Sequence, residues 1–192
     1  MNNVLFVHGF NSSPLSKKAQ LTKKYIEQYY PDVTFHCPQL ATTPNNVIKQ
    51  LEQYLKASPH EKWSLIGSSL GGYFSTYLSE VYNVKAVLVN PAIKPYELLA
   101  DFIGEQVNPY TEEVYTIENS YINDLIALER QKIGKNNYMV MVQMGDEVLD
   151  YQQAVDKFHD SLLIVQSGGD HSFINYENML PQITEFLQLK TV

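Results

Sequence analysis

One serine of this chain stands in a setting that suits nucleophilic chemistry. Residues 67–71 have the pattern G-x-S-x-G with Ser69 at the centre, and they lie between an apolar run, residues 63–66, and a stretch of helical character, residues 73–81. A serine in a tight turn from strand to helix has a strained backbone and an exposed hydroxyl, which is the arrangement of a nucleophile elbow. The alternative is a glycine-rich turn that binds a phosphate. The order of strand, turn and helix favours Ser69 as a nucleophile.

A serine nucleophile needs a base that takes up its proton. Two histidines, His159 and His171, follow Ser69 in the chain. His159 stands among charged residues at the end of a helical stretch, whereas His171 lies in the segment GGDHSF, residues 168–173, directly after an apolar run. Catalytic residues of open α/β sheets lie outside the carboxyl ends of the strands. We therefore expect His171 to be the base and His159 to be solvated.

A carboxylate must orient the base, and in this kind of site the chain order is serine, acid, histidine. The apolar run that starts at residue 138 ends in the segment GDEVLD, residues 145–150. Asp146 is the first carboxylate beyond that run, and we expect it to be the acid. Glu147 and Asp150 stay as alternatives, although Asp150 also suits the cap of the following helix.

An oxyanion hole would complete the site, and it normally consists of two backbone N–H groups. One belongs to the residue after the nucleophile, Leu70, and the other to a loop that follows an earlier strand. That loop is the segment HGFN, residues 8–11, in which we choose the N–H of Phe10. We expect His8 to brace the loop rather than to transfer a proton, and we expect His8 and Gly9 to border the substrate.

Six short apolar runs alternate with helical stretches along the chain. Most of the runs are apolar throughout, as strands covered on both faces are. Ser13-Pro14 and Thr43-Pro44 each indicate a helix start with proline at the first helical position. This alternation predicts an α/β fold, with a compact, mainly parallel sheet flanked by helices. The predicted strands are residues 4–7, 33–37, 63–66, 85–90, 138–143 and 161–166.

One segment, residues 91–137, interrupts the alternation. It has no clear strand and one helical stretch, residues 122–133. A long insertion is often a lid over a site, although a helical pair that merely covers the sheet is an equal alternative. We expect a helical cap that determines which acyl groups the serine can accept from a substrate. Tyr110 and Tyr115 are expected among the substrate-binding residues. The side chains expected to wall the acyl pocket are Leu98, Leu99, Phe102, Ile103, Tyr110, Tyr115 and Tyr121.

Length and composition limit the classes of protein. A chain of 192 residues that is 44% hydrophobic suits a single domain, residues 1–192, and the net charge of −7 disfavours nucleic acids and anionic membranes as partners. The single cysteine, Cys37, excludes an internal disulfide bond, and no signal peptide or membrane span is evident, so we expect a cytoplasmic protein. The histidines lack the spacing of metal ligands, and we expect neither a metal nor a cofactor.

The motifs in this order resemble those of α/β-hydrolases with a serine nucleophile. The finer pattern is similar to that of the small bacterial YqiA-like esterases over essentially the whole chain. It comprises HGFNSSP-x-SKKA, GSSLGG, NPAIKPYELL, NPYTEEVY, GDEVLDY and GGDHSF. The resemblance implies a compact hydrolase of the α/β-hydrolase fold that lacks the first strands of larger relatives. It also implies activity on small-molecule esters or thioesters.

Three other functions stay open at this stage. An acyl-CoA thioesterase would use the same three residues, and a basic patch would offset the unfavourable net charge. The lysines of that patch are Lys17, Lys18, Lys23 and Lys24. A peptidase of small peptides is a weaker alternative. A binding module without activity would keep the fold, since fold does not determine function.

Overall fold

The computed structural model describes residues 2–134 and 137–190 of the chain. The strands are β1 (Asn2–Val7), β2 (Val33–His36), β3 (Lys62–Ser68), β4 (Lys85–Val89), β5 (Gly104–Val107), β6 (Val114–Ile117), β7 (Tyr138–Gln143) and β8 (Leu162–Gln166). The α-helices are α1 (Lys17–Tyr29), α2 (Pro44–Ala57), α3 (Leu70–Tyr82), α4 (Pro95–Leu99), α5 (Asn119–Leu128), α6 (Tyr151–Lys157) and α7 (Leu180–Phe186). Two 3₁₀ helices span Ala100–Phe102 and Tyr176–Met179.

Within the described ranges, six strands form one parallel sheet in the order β2-β1-β3-β4-β7-β8. The strand β1 pairs with β2 on one side and with β3 on the other, so the chain changes its direction of winding between β1 and β3. Ligands of open α/β sheets bind at such a switch point, outside the carboxyl ends of the strands. The loop after β1 carries the HGFN segment, and the turn after β3 carries the G-x-S-x-G motif. This loop and this turn meet at the switch point.

The sheet has a hydrophobic core on each face. In β1, Leu5 packs in a cluster with residues of α2 and α3, such as Phe74. The next residue, Phe6, points to the other face and packs in a second cluster with residues of α1 and α7, such as Ile26 and Ile183. Burial on both faces explains why the central strands β4 and β7 are mainly apolar. The predicted α/β fold with a parallel sheet and flanking helices is confirmed.

The two proline-marked helix starts differ in the structure. Helix α2 begins at Pro44 after Thr43, as predicted. Helix α1 begins only at Lys17, so the predicted start at Pro14 is wrong by three residues. The reason is local, because the hydroxyl of Ser13 accepts a hydrogen bond from the N–H of Leu15 and forms a turn in place of the first helical turn.

The insertion is a mixed structure rather than a purely helical cap. It contains α4, an antiparallel hairpin of β5 and β6, and α5. The prediction that it has no strand is wrong, and the predicted helix over 122–133 lies instead at Asn119–Leu128. The hydroxyl of Tyr73 in α3 donates a hydrogen bond to the carbonyl of Leu125 in α5 at 2.7 Å, in a buried position. The insertion is thereby attached to the main core.

Candidate active site

Ser69 is the single residue between the end of β3 and the start of α3. Its backbone has φ 54° and ψ −122°, a conformation that is costly for a residue with a side chain. A Cβ atom on Gly67 would overlap the carbonyl of Gly71, and a Cβ on Gly71 would overlap the carbonyl of Val7. The two glycines of the motif thus allow α3 to start in direct contact with β1 and β3. This contact holds Ser69 in the strained turn that the sequence predicts.

The imidazole of His171 lies between Ser69 and Asp146. Its Nε2 is 3.1 Å from Oγ of Ser69, and its Nδ1 is 2.9 Å and 3.0 Å from the two carboxylate oxygens of Asp146. Because a carboxylate only accepts hydrogen bonds, Nδ1 carries the proton and Nε2 is left to accept the proton of the serine hydroxyl. The structure therefore brings these three residues together in the order that proton transfer requires.

The carboxylate of Asp146 is almost fully buried, with 2% of its side chain exposed. Burial by itself raises the pKa of this carboxyl group, but hydrogen bonds from His171 and from the backbone N–H groups of Leu149 and Val148 outweigh it, so the pKa lies below its ordinary value. These backbone bonds measure 2.8 Å and 2.9 Å. Asp146 is consequently ionised at neutral pH and suits the stabilisation of a charged imidazole.

The structure places the alternative residues in other positions. Glu147 accepts a hydrogen bond from the backbone N–H of His171 at 3.0 Å and so contacts the loop rather than the ring. Asp150 caps α6 by accepting from the N–H of Gln152. His159 is exposed at the end of α6, as expected. Of the three carboxylates weighed from the sequence, Asp146 is the one that contacts the imidazole.

Two buried amides that the sequence analysis missed hold the loop of His171. Asn90, directly after β4, donates from its side chain to the carbonyls of Asp170 and His171 at 3.0 Å and 3.2 Å. Gln143, at the end of β7, accepts from the N–H groups of Asp170 and Ile174 and donates to the carbonyl of Ile174. Both amides are 3% exposed. Their signal in the sequence is a polar residue at the end of an otherwise apolar strand.

The loop of residues 8–12, which we call the HGF loop, is braced by His8. The ring Nε2 of His8 is 3.2 Å from the N–H of Leu40, and its Nδ1 is 3.0 Å from the carbonyl of Gly9. Since an N–H only donates, Nε2 accepts, and Nδ1 must donate to Gly9. His8 is therefore neutral, and burial lowers its pKa although the bond to Gly9 raises it. Both nitrogens are occupied, as expected of a bracing residue.

The bond from His8 also orients the peptide group between Gly9 and Phe10. In a planar trans peptide the carbonyl of one residue and the N–H of the next point in opposite directions. Gly9 lies against Ser69, because a Cβ on Gly9 would be 3.2 Å from Cβ of Ser69. Within residues 2–134 and 137–190, the N–H of Phe10 makes no backbone hydrogen bond, and the N–H of Leu70, the first residue of α3, has no partner in its helix.

A cavity of about 550 Å³ opens beside Ser69 and His171. Its walls come from the HGF loop, the start of α1 and the segment of residues 171–177, and they include Tyr110. Tyr115 lies elsewhere, in the wall of a separate cavity of about 40 Å³ that also borders Leu70. The predicted contact of Tyr115 with substrate is therefore not supported by its position. His8 and Gly9 border both cavities.

Most of the insertion residues expected to wall an acyl pocket lie outside the large cavity. Of those named from the sequence, only Tyr110 lines it. Leu99 and Tyr121 are buried in the core, and Leu98 lines a different cleft beside α6. The insertion is held to α3 through the bond between Tyr73 and Leu125 and to the HGF loop through the bond between Tyr115 and Asn11.

Two features are absent from the part of the chain that the structure describes. No group of three histidine, cysteine, aspartate or glutamate residues there is arranged to hold a metal ion. No helix there has the length and apolar character needed to cross a bilayer. Neither observation bears on the arrangement of Ser69, His171 and Asp146.

Solved structures with this architecture include several hydrolases. A putative hydrolase from Agrobacterium vitis superimposes with a TM-score of 0.74 at 19% identity, covering 97% of this chain and 88% of that one. Mouse alpha/beta hydrolase domain-containing protein 10 gives a TM-score of 0.71 at 18% identity, covering 97% and 89%. A monoacylglycerol lipase from Paleococcus ferrophilus gives 0.69 at 15% identity, covering 96% and 93%. At these identities the likeness shows the α/β-hydrolase fold.

Sequence comparison identifies the family. The UPF0227 protein YcfP of Salmonella gallinarum is 24% identical over 188 residues, which are 97% of this chain and 99% of that protein. The model of the family described as "Uncharacterised protein family (UPF0227)" matches residues 3–188, nearly the whole chain. This agrees with the YqiA-like resemblance found in the sequence motifs. The chain is a member of the UPF0227 family.

Proposed function

We propose that this protein is a serine hydrolase that cleaves carboxylic esters through an acyl-enzyme on Ser69. The observation that carries the proposal is the continuous line of contacts from Asp146 through His171 to Ser69, with distances of 2.9 Å and 3.1 Å. The strained backbone of Ser69 supports it, because such strain is retained where the surrounding structure serves a site. The hydrolases and esterases that share the fold are consistent with it.

In the proposed reaction, Nε2 of His171 takes the proton of Ser69 while Oγ attacks the ester carbonyl. The carbonyl oxygen gains the negative charge, and the N–H groups of Phe10 and Leu70 bind it. When the tetrahedral intermediate collapses, the C–O bond to the alcohol breaks and the imidazolium returns its proton to the leaving oxygen. Water then attacks the acyl-enzyme with the same base and releases the acid.

In this scheme Asp146 keeps the imidazole in the tautomer that accepts the serine proton. Its charge also stabilises the imidazolium that forms during each half of the reaction. The hydrogen bonds to Asp146 lower the pKa of its carboxyl group and keep it ionised at neutral pH. Asp146 orients the base and does not itself take up the proton.

A thioester is the second candidate substrate, since the same three residues would cleave it. One observation favours an anionic thioester such as an acyl-CoA: Lys17 and Lys18, at the start of α1, line the cavity that contains Ser69. Two acidic residues, Glu147 and Glu177, line it as well and weaken the argument from charge. The ester is therefore the first candidate.

Covalent labelling with a fluorophosphonate probe tests the proposal. The probe should label the wild-type protein on Ser69, and Ser69→Ala should abolish labelling and lower turnover of a 4-nitrophenyl ester by roughly 10⁴–10⁶-fold. Ser68→Ala, the control next to the nucleophile, should keep most of the activity. A parallel panel of acyl-CoA thioesters separates the two candidate substrates. Absence of both labelling and hydrolysis in the folded wild-type protein would favour a binding module without activity.

A further inference from the structure

Part of the insertion contacts three successive residues of the HGF loop. We call this part, residues 102–117, the cap hairpin; it consists of the end of the 3₁₀ helix, β5, β6 and their turn. The hydroxyl of Tyr115 donates to Oδ1 of Asn11 at 2.7 Å. The side chain of Asn108 donates to the carbonyl of Ser12 at 3.0 Å.

The third contact is between aromatic rings. The ring of Phe102 packs edge-on against the ring of Phe10, with 5.6 Å between the ring centroids. Phe10, Asn11 and Ser12 are therefore each held by a different residue of the cap hairpin. A role in covering the sheet does not require contacts with the HGF loop. All three contacts nevertheless fall on this loop, which supplies the proposed oxyanion donor.

The backbone of the HGF loop explains why these contacts matter. Asn11 has a positive φ of 48°, a conformation that asparagine tolerates but that needs support from its surroundings. The bond from Tyr115 reaches the side chain of this strained residue, one position after the N–H of Phe10. His8 holds the other end of the same peptide region through the carbonyl of Gly9. The direction of the Phe10 N–H is thus determined from both sides.

The two hydrogen-bonding side chains of the cap hairpin are themselves well held. Oδ1 of Asn108 accepts from the N–H groups of Tyr110 and Thr111, so its amide is oriented with the nitrogen toward Ser12. Burial raises the pKa of Tyr115 to about 12, which keeps its hydroxyl protonated and able to donate at neutral pH. Tyr115 borders the small cavity and not the cavity that contains Ser69.

We propose that the cap hairpin positions the oxyanion hole, with Tyr115 as the positioning residue that fixes the HGF loop and thereby the N–H of Phe10. The proposal rests on the proposed ester hydrolysis at Ser69. It assigns the insertion a role in binding the transition state, which differs from a role in selecting the acyl chain. Tyr115 acts through Asn11 and does not touch the substrate.

The substitution Tyr115→Phe tests this role, because it removes one hydroxyl and keeps the ring. We expect kcat for 4-nitrophenyl acetate to fall roughly 10-fold with little change in KM, less than the 10²–10³-fold loss of a whole oxyanion donor. The factor should be the same for longer acyl chains. An unchanged kcat, or a change confined to KM and chain-length preference, would overturn the proposal.

A thionoester, in which sulfur replaces the carbonyl oxygen, distinguishes an oxyanion effect from a general one. Sulfur is larger and a poorer hydrogen-bond acceptor, so a thionoester gains less from the oxyanion hole. The ratio of kcat/KM for the ester to that for the thionoester should therefore fall in Tyr115→Phe by roughly the factor lost in kcat. If both substrates lose activity equally, Tyr115 has only a general structural effect and the proposal is wrong.

Two further variants complete the experiment. Tyr96→Phe is the matched control, because it removes a hydroxyl that donates to Glu129 within the insertion and should leave kcat unchanged. Asn108→Asp keeps the acceptor for Tyr110 and Thr111 but loses the donor to Ser12, so it should repeat the effect of Tyr115→Phe even if the latter folds poorly. Thermal melting of each variant confirms that the fold is intact.

The outcome also separates this proposal from the proposed function. If the wild-type protein hydrolyses the ester and Ser69→Ala does not, the serine mechanism stands whatever Tyr115→Phe does. If Ser69→Ala keeps full activity, the proposed function fails, and the role of Tyr115 in it fails as well. An active wild type with an equally active Tyr115→Phe variant overturns the role of the cap hairpin alone.

Discussion

Asn90 holds His171 by the backbone, through a hydrogen bond of 3.2 Å from its side-chain amide to the carbonyl oxygen of His171. The same amide group also binds the carbonyl of Asp170, and its oxygen accepts from the N–H of Gln143. The nitrogen and the oxygen of this buried side-chain amide are therefore both used, and they join the ends of β4 and β7 to the loop of His171. The position of the imidazole therefore depends on a residue that directly follows β4, whereas His171 lies in the loop after β8.

The substitution Asn90→Asp should displace His171 without removing it. A carboxylate keeps the acceptor for the N–H of Gln143 but repels the carbonyls of Asp170 and His171. We expect kcat for an ester substrate to fall by roughly 10–10²-fold with a smaller change in KM, since small displacements of a catalytic group are costly. Steady-state kinetics on a folded variant measure this.

The control for Asn90→Asp is Asn137→Asp. The amide of Asn137 donates to Asn83 in an exposed position before β7, at the opposite end of that strand from the site. The chemical change is the same, but it lies far along the strand from His171, so kcat should not change. Equal losses in the two variants would mean that the added charge, and not the position of His171, lowers the activity.

The assignment of the acid leads to a second comparison. Asp146→Asn should keep the shape of the site but favour the wrong tautomer of His171, and turnover should fall on the order of 10⁴-fold. Asp150→Ala removes the cap of α6 and should cost about 1 kcal/mol of stability with little effect on turnover. Kinetics and thermal melting of both variants measure these effects. Full activity of Asp146→Asn would transfer the role of the acid to another residue.

The sequence predicted the parts of the site that follow from short-range rules. The G-x-S-x-G motif predicts the elbow at Ser69, because its two glycines are needed where the backbone of the helix contacts the backbones of the strands. The positions of His171 and Asp146 close to Ser69 follow from their place just beyond apolar runs, because the carboxyl ends of parallel strands meet at one edge of the sheet. The α/β fold followed from the alternation of strands and helices for the same reason.

The parts that sequence reasoning missed depend on contacts between distant segments. The roles of Asn90 and Gln143 require that β4 and β7 be neighbours, which is a property of the strand order. The strands β5 and β6 have four residues each and include polar positions, so no apolar run marks them. Tyr115 was expected at the substrate because it is aromatic and lies in the insertion, whereas its neighbour in the fold is Asn11.

The effects of the hydrogen bonds at the two ring nitrogens of His8 can be distinguished by a pair of substitutions. Asparagine places an amide near Nδ1 and can still donate to the carbonyl of Gly9, whereas glutamine reaches the position of Nε2 and can still accept from Leu40. If the bond to Gly9 orients the N–H of Phe10, then the kcat of His8→Asn should be roughly 10-fold higher than that of His8→Gln. The reverse order would indicate that the bond to Leu40 is the one that matters.

The burial of His8 also predicts a pH dependence of stability. Burial lowers the pKa of His8 in the folded state below 6.5, so the unfolded chain binds more protons in acid. Its contribution to stability is therefore complete above about pH 6.5 and is lost as the pH falls from there toward the folded pKa. The pKa of His36 is lowered by burial as well. His36 therefore also contributes to the loss of stability as the pH falls.

A comparison of the wild type with His8→Asn isolates the contribution of His8 to the pH dependence of stability, because His36 is present in both proteins. The difference in melting temperature between wild type and variant should narrow between pH 8 and pH 5. Thermal melts at several pH values at constant ionic strength measure this difference. A gap that stays constant with pH would show that His8 does not titrate differently in the folded and unfolded states.

The walls of the large cavity predict which side chains determine the preferred chain length of the substrate. Ile174 and Leu21 line the cavity beside Ser69, whereas Leu98 of the insertion lines a separate cleft. A buried methylene contributes about 0.8 kcal/mol, or about fourfold in kcat/KM, so Ile174→Ala should reduce the gain for each added methylene. Leu98→Ala should leave the preference unchanged. A panel of 4-nitrophenyl esters of graded chain length measures both. If Leu98→Ala shifts the preferred length and Ile174→Ala does not, the insertion sets the preference, as the sequence suggested.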